Sequence, residues 1–104
     1  MRIQKPETLT DLVNYQPGSI VSKTLLEKDA GSITLFAFDV DQQLKEHTSP
    51  FDAFVTILDG EAEITVSGEK SVVKAGQSIL MPAGKPHALK AIGKFKMLLV
   101  MIKS

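Results

Sequence analysis

The 104-residue sequence has no cysteine and no tryptophan, and only one tyrosine and two histidines. Without cysteine there is no disulfide framework, no thiolate metal site and no cysteine nucleophile. Charge of either sign is not in surplus: 12 Lys and Arg balance 12 Asp and Glu. That balance argues against the basic footprint of a nucleic-acid binder and against a protein held on an anionic membrane. No apolar run approaches the length of a bilayer span, and the opening Met1-Arg2-Ile3-Gln4-Lys5-Pro6 lacks the apolar core of a signal peptide. A soluble cytoplasmic protein is expected, with neither nucleic acid nor membrane as partner. Linkers, low-complexity tracts and internal repeats are also missing. The length is that of one domain, enough to bury a core without disulfides or metal.

What is present is a series of short alternating segments. Pro6 to Asn14 reads as one or two helical turns, with Leu9, Leu12 and Val13 at helical spacing, and Pro17-Gly18 breaks it. Residues 1–18 are therefore expected as an N-terminal arm and 19–104 as the folded domain. Ser19 to Lys28 and Gly31 to Val40 read as strands. In the second, Ile33, Leu35 and Ala37 share one face and Phe36 and Phe38 the other, which predicts burial on both sides. Phe51 to Leu58 is followed by Asp59-Gly60, the dipeptide of a type I′ hairpin, and then by Glu61 to Val66. Ser67-Gly68 and Ala75-Gly76 turn the chain again. Phe95 to Ile102 closes it, with Leu98, Val100 and Ile102 on one face and Met97, Leu99 and Met101 on the other. Some eight or nine short strands predict a sandwich or barrel.

One stretch organises the rest: Gly76 to Ala91, GQSILMPAGKPHALKA. Pro82 ends a short strand, Gly84 supplies a positive φ at no steric cost, and the turn delivers His87 onto the next strand. Leu89 and Ala91 have the parity of His87 and are apolar, so His87 looks inward. The spacing Gly76, five residues, Pro82, one, Gly84, two, His87 resembles the second motif of the cupin superfamily. The first motif of that family is Gly, five residues, His-x-His, three or four residues, Glu, six residues, Gly. It aligns with Asp41 to Gly60, where His47 and Gly60 match, Ser49 stands in the second His position and Ala53 in that of Glu.

The resemblance implies an all-β double-stranded β-helix, or jelly-roll barrel, with both motifs on facing walls. It also implies a homodimer, and the second apolar faces of strands 33–38 and 96–102 call for a covering of some kind. The motif positions make His47 and His87 candidate metal ligands. The implied cofactor is a divalent transition metal, namely zinc, nickel, iron or copper, which imidazole suits better than magnesium or calcium. Gln43, Ser49, Ala53 and Met81 are candidate ligand-binding residues. Gln43 has the parity of His47, whereas Asp52 and Glu46 have the opposite parity to the motif residues beside them. Met97 and Met101 read as core or dimer contacts. Three functions stay open: binding of a small molecule in the barrel, a metal-dependent enzyme of dioxygenase or isomerase type, and a metal-free enzyme with histidine as acid or base.

Overall fold

The computed structural model describes residues 5–104, so Met1 to Gln4 of the expected arm lie outside the described residues. A short 3-10 turn, Leu9–Asp11, precedes eight strands: β1 (Ile20–Lys28), β2 (Gly31–Phe38), β3 (Gln43–His47), β4 (Phe51–Val66), β5 (Glu69–Lys74), β6 (Ser78–Met81), β7 (His87–Lys90) and β8 (Phe95–Lys103). All pairings are antiparallel, and the chain is an all-β jelly roll.

The long strand β4 belongs to both sheets. Its first half pairs with β8 on one side and β6 on the other, in a sheet completed by β2 and β1. Its second half pairs with β5 and β7, and β7 carries β3 at the far edge. This corrects the expected Asp59-Gly60 hairpin. Both central residues of a type I′ turn need positive φ, but only Gly60 has it (+72°), and Asp59 and Gly60 still pair with Lys96 and Phe95. A register shift between Ile57 and Asp59 bends the strand there and carries it from one sheet into the other. Only glycine fits at the bend, because a Cβ at position 60 would lie 2.1 Å from the Lys94 carbonyl oxygen. The two-residue type I′ hairpin is instead Ser67-Gly68, with φ of 50° and 82°, between the paired residues Val66 and Glu69.

The core follows from strand alternation. Ala53, Val55 and Ile57 of β4 point inward with Phe38, Phe95 and Met97, all buried. The rings of Phe38 and Phe95 stack at 4.4 Å between centroids. Phe38 thus belongs to the barrel interior. The opposite face of β2, Leu35 and Ala37, is buried under the chain's own N-terminal segment through Leu9, Leu12, Val13 and Tyr15. The Tyr15 hydroxyl donates to Asp59 Oδ2 at 2.6 Å, and Lys96 Nζ donates to the Thr10 carbonyl. Much of the second apolar face that the sequence left uncovered is therefore covered from within the same chain. The remainder is a row of cross-strand neighbours, Leu26, Ile33, Val100, Phe54 and Leu80, running over five strands on the outside of the first sheet.

Candidate functional site

The site starts from the turn at Pro82 to Gly84. Gly84 has φ of +76° with open space around it, so glycine is required there by backbone conformation and not by crowding. Two hydrogen bonds fasten the turn to the segment entering β4. Ala83 N–H donates to Asp52 Oδ1 at 2.8 Å, and Gly84 N–H donates to the Ser49 carbonyl at 2.9 Å. The Ser49 hydroxyl in turn accepts from Phe51 N–H at 3.1 Å. Asp52 points away from the interior, as its parity predicts. Its work is to hold the loop that presents His87.

His87 opens β7 and is only 4% exposed. It pairs with His47 at the end of β3. The two rings meet edge to face, 4.3 Å between centroids, and their Nε2 atoms approach to 3.1 Å. Each ring uses its other nitrogen on a backbone carbonyl two residues back: His47 Nδ1 lies 2.8 Å from the Lys45 oxygen and His87 Nδ1 3.3 Å from the Lys85 oxygen. A carbonyl oxygen can only accept, so both Nδ1 atoms carry the proton. When both rings are neutral, both Nε2 atoms are then unprotonated acceptors 3.1 Å apart, a contact that one shared proton, an outside donor or a cation would relieve. Burial, followed by repulsion from a protonated His47, pushes His87 below its ordinary value of 6.5, while the bond to the Lys85 carbonyl opposes the shift.

The pair closes one side of a cavity of about 320 Å³. His47, Ser49, Ala53, Met81 and His87 all line it. Gln43 does not. From Leu44 to His47 is three residues, whereas their partners Leu89 and His87 are two apart. The extra residue reverses the alternation, so Leu44 and His47 both face the cavity and Gln43 is exposed in an outer groove with Lys90 and Glu63. The parity argument for Gln43 fails because nothing in the local sequence marks that irregularity. Leu44, Phe51, Leu89 and Leu99 also line the cavity without having been named as binding residues, and so do Met97 and Met101, which the sequence reads as core or dimer contacts. The apolar in-facing alternation of Phe95 to Ile102 was the available signal for the last three.

Among the described residues no group of three or more His, Asp or Glu side chains is gathered as a ligand set, and none of the residues lining the cavity is acidic. A catalytic divalent site has three protein ligands as a rule and a structural one four. Two imidazoles with Ser49 and Ala53 in the other positions do not fit such a centre.

Eight antiparallel strands folded into one barrel, with a buried His87 meeting an exposed His47 beside a largely apolar cavity, define a small β-barrel of the jelly-roll type. The chain belongs to the cupin family: the family model described as Cupin domain matches residues 34–103. Among solved structures it is similar to a conserved Streptococcus pyogenes protein of unknown function, at 46% identity and a TM-score of 0.93 over 97% of this chain and 89% of that one. It is also similar to a cupin superfamily protein from Desulfitobacterium hafniense, at 30% identity and a TM-score of 0.92 over 97% and 93%. A cupin 2 conserved barrel domain protein from Leptotrichia buccalis shares 42% identity at a TM-score of 0.87, over 90% of this chain and 46% of that one. No curated protein matches the chain.

Proposed function

We propose that this cupin is a binding protein whose barrel cavity takes a small, mainly apolar molecule bearing one hydrogen-bond donor. The observation that carries this reading is the pair of bare Nε2 atoms, 3.1 Å apart, at the polar end of a cavity otherwise walled mostly by Leu, Met and Phe. Small-molecule sites of this kind combine an apolar lining with a few placed polar groups. Two adjacent acceptors favour a hydroxyl over a carboxylate, which has no proton to donate, and the absence of an acidic side chain in the lining gives a cationic ligand no partner there. Both could share one O–H, and the Ser49 and Thr48 hydroxyls at the rim can complete the shell of its oxygen. An enzymatic reading would need an organised nucleophile or a carboxylate partner for the imidazoles, and the partners here are the backbone carbonyls of Lys45 and Lys85.

Phenol and anisole share the aromatic ring and its oxygen, but anisole carries O–CH3 where phenol carries O–H, so only phenol can donate. Titration followed by calorimetry or thermal shift should show phenol binding more tightly than anisole. His47→Ala should erase the difference. Equal binding of the two probes by the unaltered protein would refute the proposal.

A further inference from the structure

The cavity does not end at Phe51 and Met101. Both residues also line a notch of about 230 Å³ beside it, together with Glu27, Lys28, Gly31 and Ser32. Strand pairing shows how β1 reaches this place. Glu27 stands opposite Ser32, Ser32 opposite Met101, Met101 opposite Ala53 and Ala53 opposite Met81, one row across five strands. Directly paired residues share a face of the sheet. Met101, Ala53 and Met81 line the cavity, so Ser32 and Glu27 continue the same wall, about 5 and 10 Å beyond Met101 at the usual strand spacing. Glu27 reaches that face only through an irregularity. Ser22 and Thr24 pair with Phe36 and Thr34, and unbroken alternation would set Leu26 inside and Glu27 outside. A register shift between Thr24 and Leu26 admits Leu25 as an extra residue, so Leu26 turns out with Ile33 and Glu27 turns in with Ser32. Bulges re-aim side chains in this way beside functional sites.

We propose that the notch is a second subsite, in which Glu27 and Ser32 receive an ammonium group at the far end of the molecule whose hydroxyl meets the histidine pair. The inference rests on reading the cavity as a small-molecule site, and it adds a second polar group to that molecule. The sign of the charge follows from the faces of β1. Lys28 takes the opposite face from Glu27 by alternation, and it borders the outer depression with Leu26 and Ile33 as well as the notch. The charge on the inner row is therefore the carboxylate, and among the described residues Glu27 is in no ion pair. Ser32, half-buried beside it, has a hydroxyl oxygen that can accept from the same group. Between the two polar ends the wall is apolar, through Phe51, Leu99 and Met101, and an aromatic or aliphatic body would cover it. Glu27 itself is exposed, so its attraction for a cation is screened and worth about a few-fold in affinity at low salt.

The test uses the full chain and two pairs of probes: tyramine with p-ethylphenol, and p-(aminobutyl)phenol with p-butylphenol. Within a pair the ring, hydroxyl and chain are alike, and only one member carries the ammonium group. By calorimetry at low salt, at least one amine should bind about three- to fivefold more tightly than its neutral twin, and the gain should shrink at high salt. Glu27→Gln, a conservative change at an exposed position, should remove the gain. The acid of the same skeleton, p-hydroxyphenylpropionate, should bind no better than p-ethylphenol. A gain for the acid would assign the notch to the lysines nearest in the pairing, Lys28 and Lys103, and would overturn the proposal. So would amines that gain nothing over their twins, or a gain that survives in Glu27→Gln. Alkylphenols that bind without any amine gain sink the notch alone, whereas failure of every alkylphenol to bind sinks the reading of the cavity with it. The comparison of phenol with anisole reads the histidine end separately.

Discussion

Asp52 and Ala83, thirty-one positions apart, are joined by a hydrogen bond of 2.8 Å from the backbone N–H of one to the carboxylate of the other. Together with the bond from Gly84 N–H to the Ser49 carbonyl, it ties the two halves of the site at their entrances. His47 and His87 lie just beyond these ties, which position the two backbones, while the Nδ1 contacts to the Lys45 and Lys85 carbonyls orient the rings. Asp52→Ala should cost about 1–2 kcal/mol in urea unfolding, because a backbone donor loses a charged acceptor. It should also weaken phenol binding, while Asp52→Asn, which keeps an oxygen in place, should recover most of both. Equal loss in the two variants would show that the oxygen does not position the turn.

Gly84→Val tests the same turn through the backbone. Its φ of +76° is one that a β-branched residue strongly disfavours, and no neighbour stands within 4 Å of the added Cβ. Destabilisation above about 1 kcal/mol is expected from strain alone. A chemical denaturation midpoint unchanged from the parent would show that the turn relaxes freely.

The pH dependence follows from His87. Its value is held below the ordinary 6.5 in the fold, so the unfolded chain takes up a proton that the folded chain resists. That contribution to stability is complete above about 6.5 and is lost as the pH falls through the window between the ordinary value and the depressed one. Melting temperatures at pH 7.5, 6.5 and 5.5 should decline over the last interval in the metal-free protein. His87→Gln should flatten that decline, and persistence of the full slope in the variant would assign it elsewhere.

Assembly is proposed to use the open stripe on the first sheet. Phe54 and Leu80 are direct cross-strand neighbours there, and they are 45% and 54% exposed. Sedimentation at micromolar concentration should give twice the chain mass, and Phe54→Lys should give the monomer by setting a charge in the contact. Phe38→Lys, by contrast, should prevent folding, since that ring is buried against Phe95. A parent chain that sediments as a monomer at high concentration rules the dimer out.

Restoring the family's ligands is the metal experiment. Ser49→His with Ala53→Glu adds an imidazole and a carboxylate to the cavity that the histidine pair lines, Ala53 lying on the first sheet and the pair on the second. Affinity for Zn(II) or Ni(II) should rise by at least about a hundredfold as the protein ligands go from two to four. An unchanged affinity would mean that these two positions do not reach the ion.

The sequence by itself determined the local features. Alternation set Asp52 on the opposite face from Ala53, and Pro82-Ala83-Gly84 announced the turn that sets His87 facing inward. These are properties of a few neighbouring residues, because period-two side-chain direction and positive φ are decided within a strand or a turn. The tertiary structure decided whatever depends on pairing between distant segments. Asp59-Gly60 reads locally as a hairpin, yet β8 pairs across it and makes it the bend where β4 changes sheets. One extra residue between Leu44 and His47 turned Gln43 out and Leu44 in. The N-terminal segment covered Leu35 and Ala37, a face that could equally have met a second chain. The approach of the two Nε2 atoms, and the carbonyls that leave both of them bare, also belong to the tertiary level. Forty residues of chain separate the histidines, and no local pattern carries the register that brings them together.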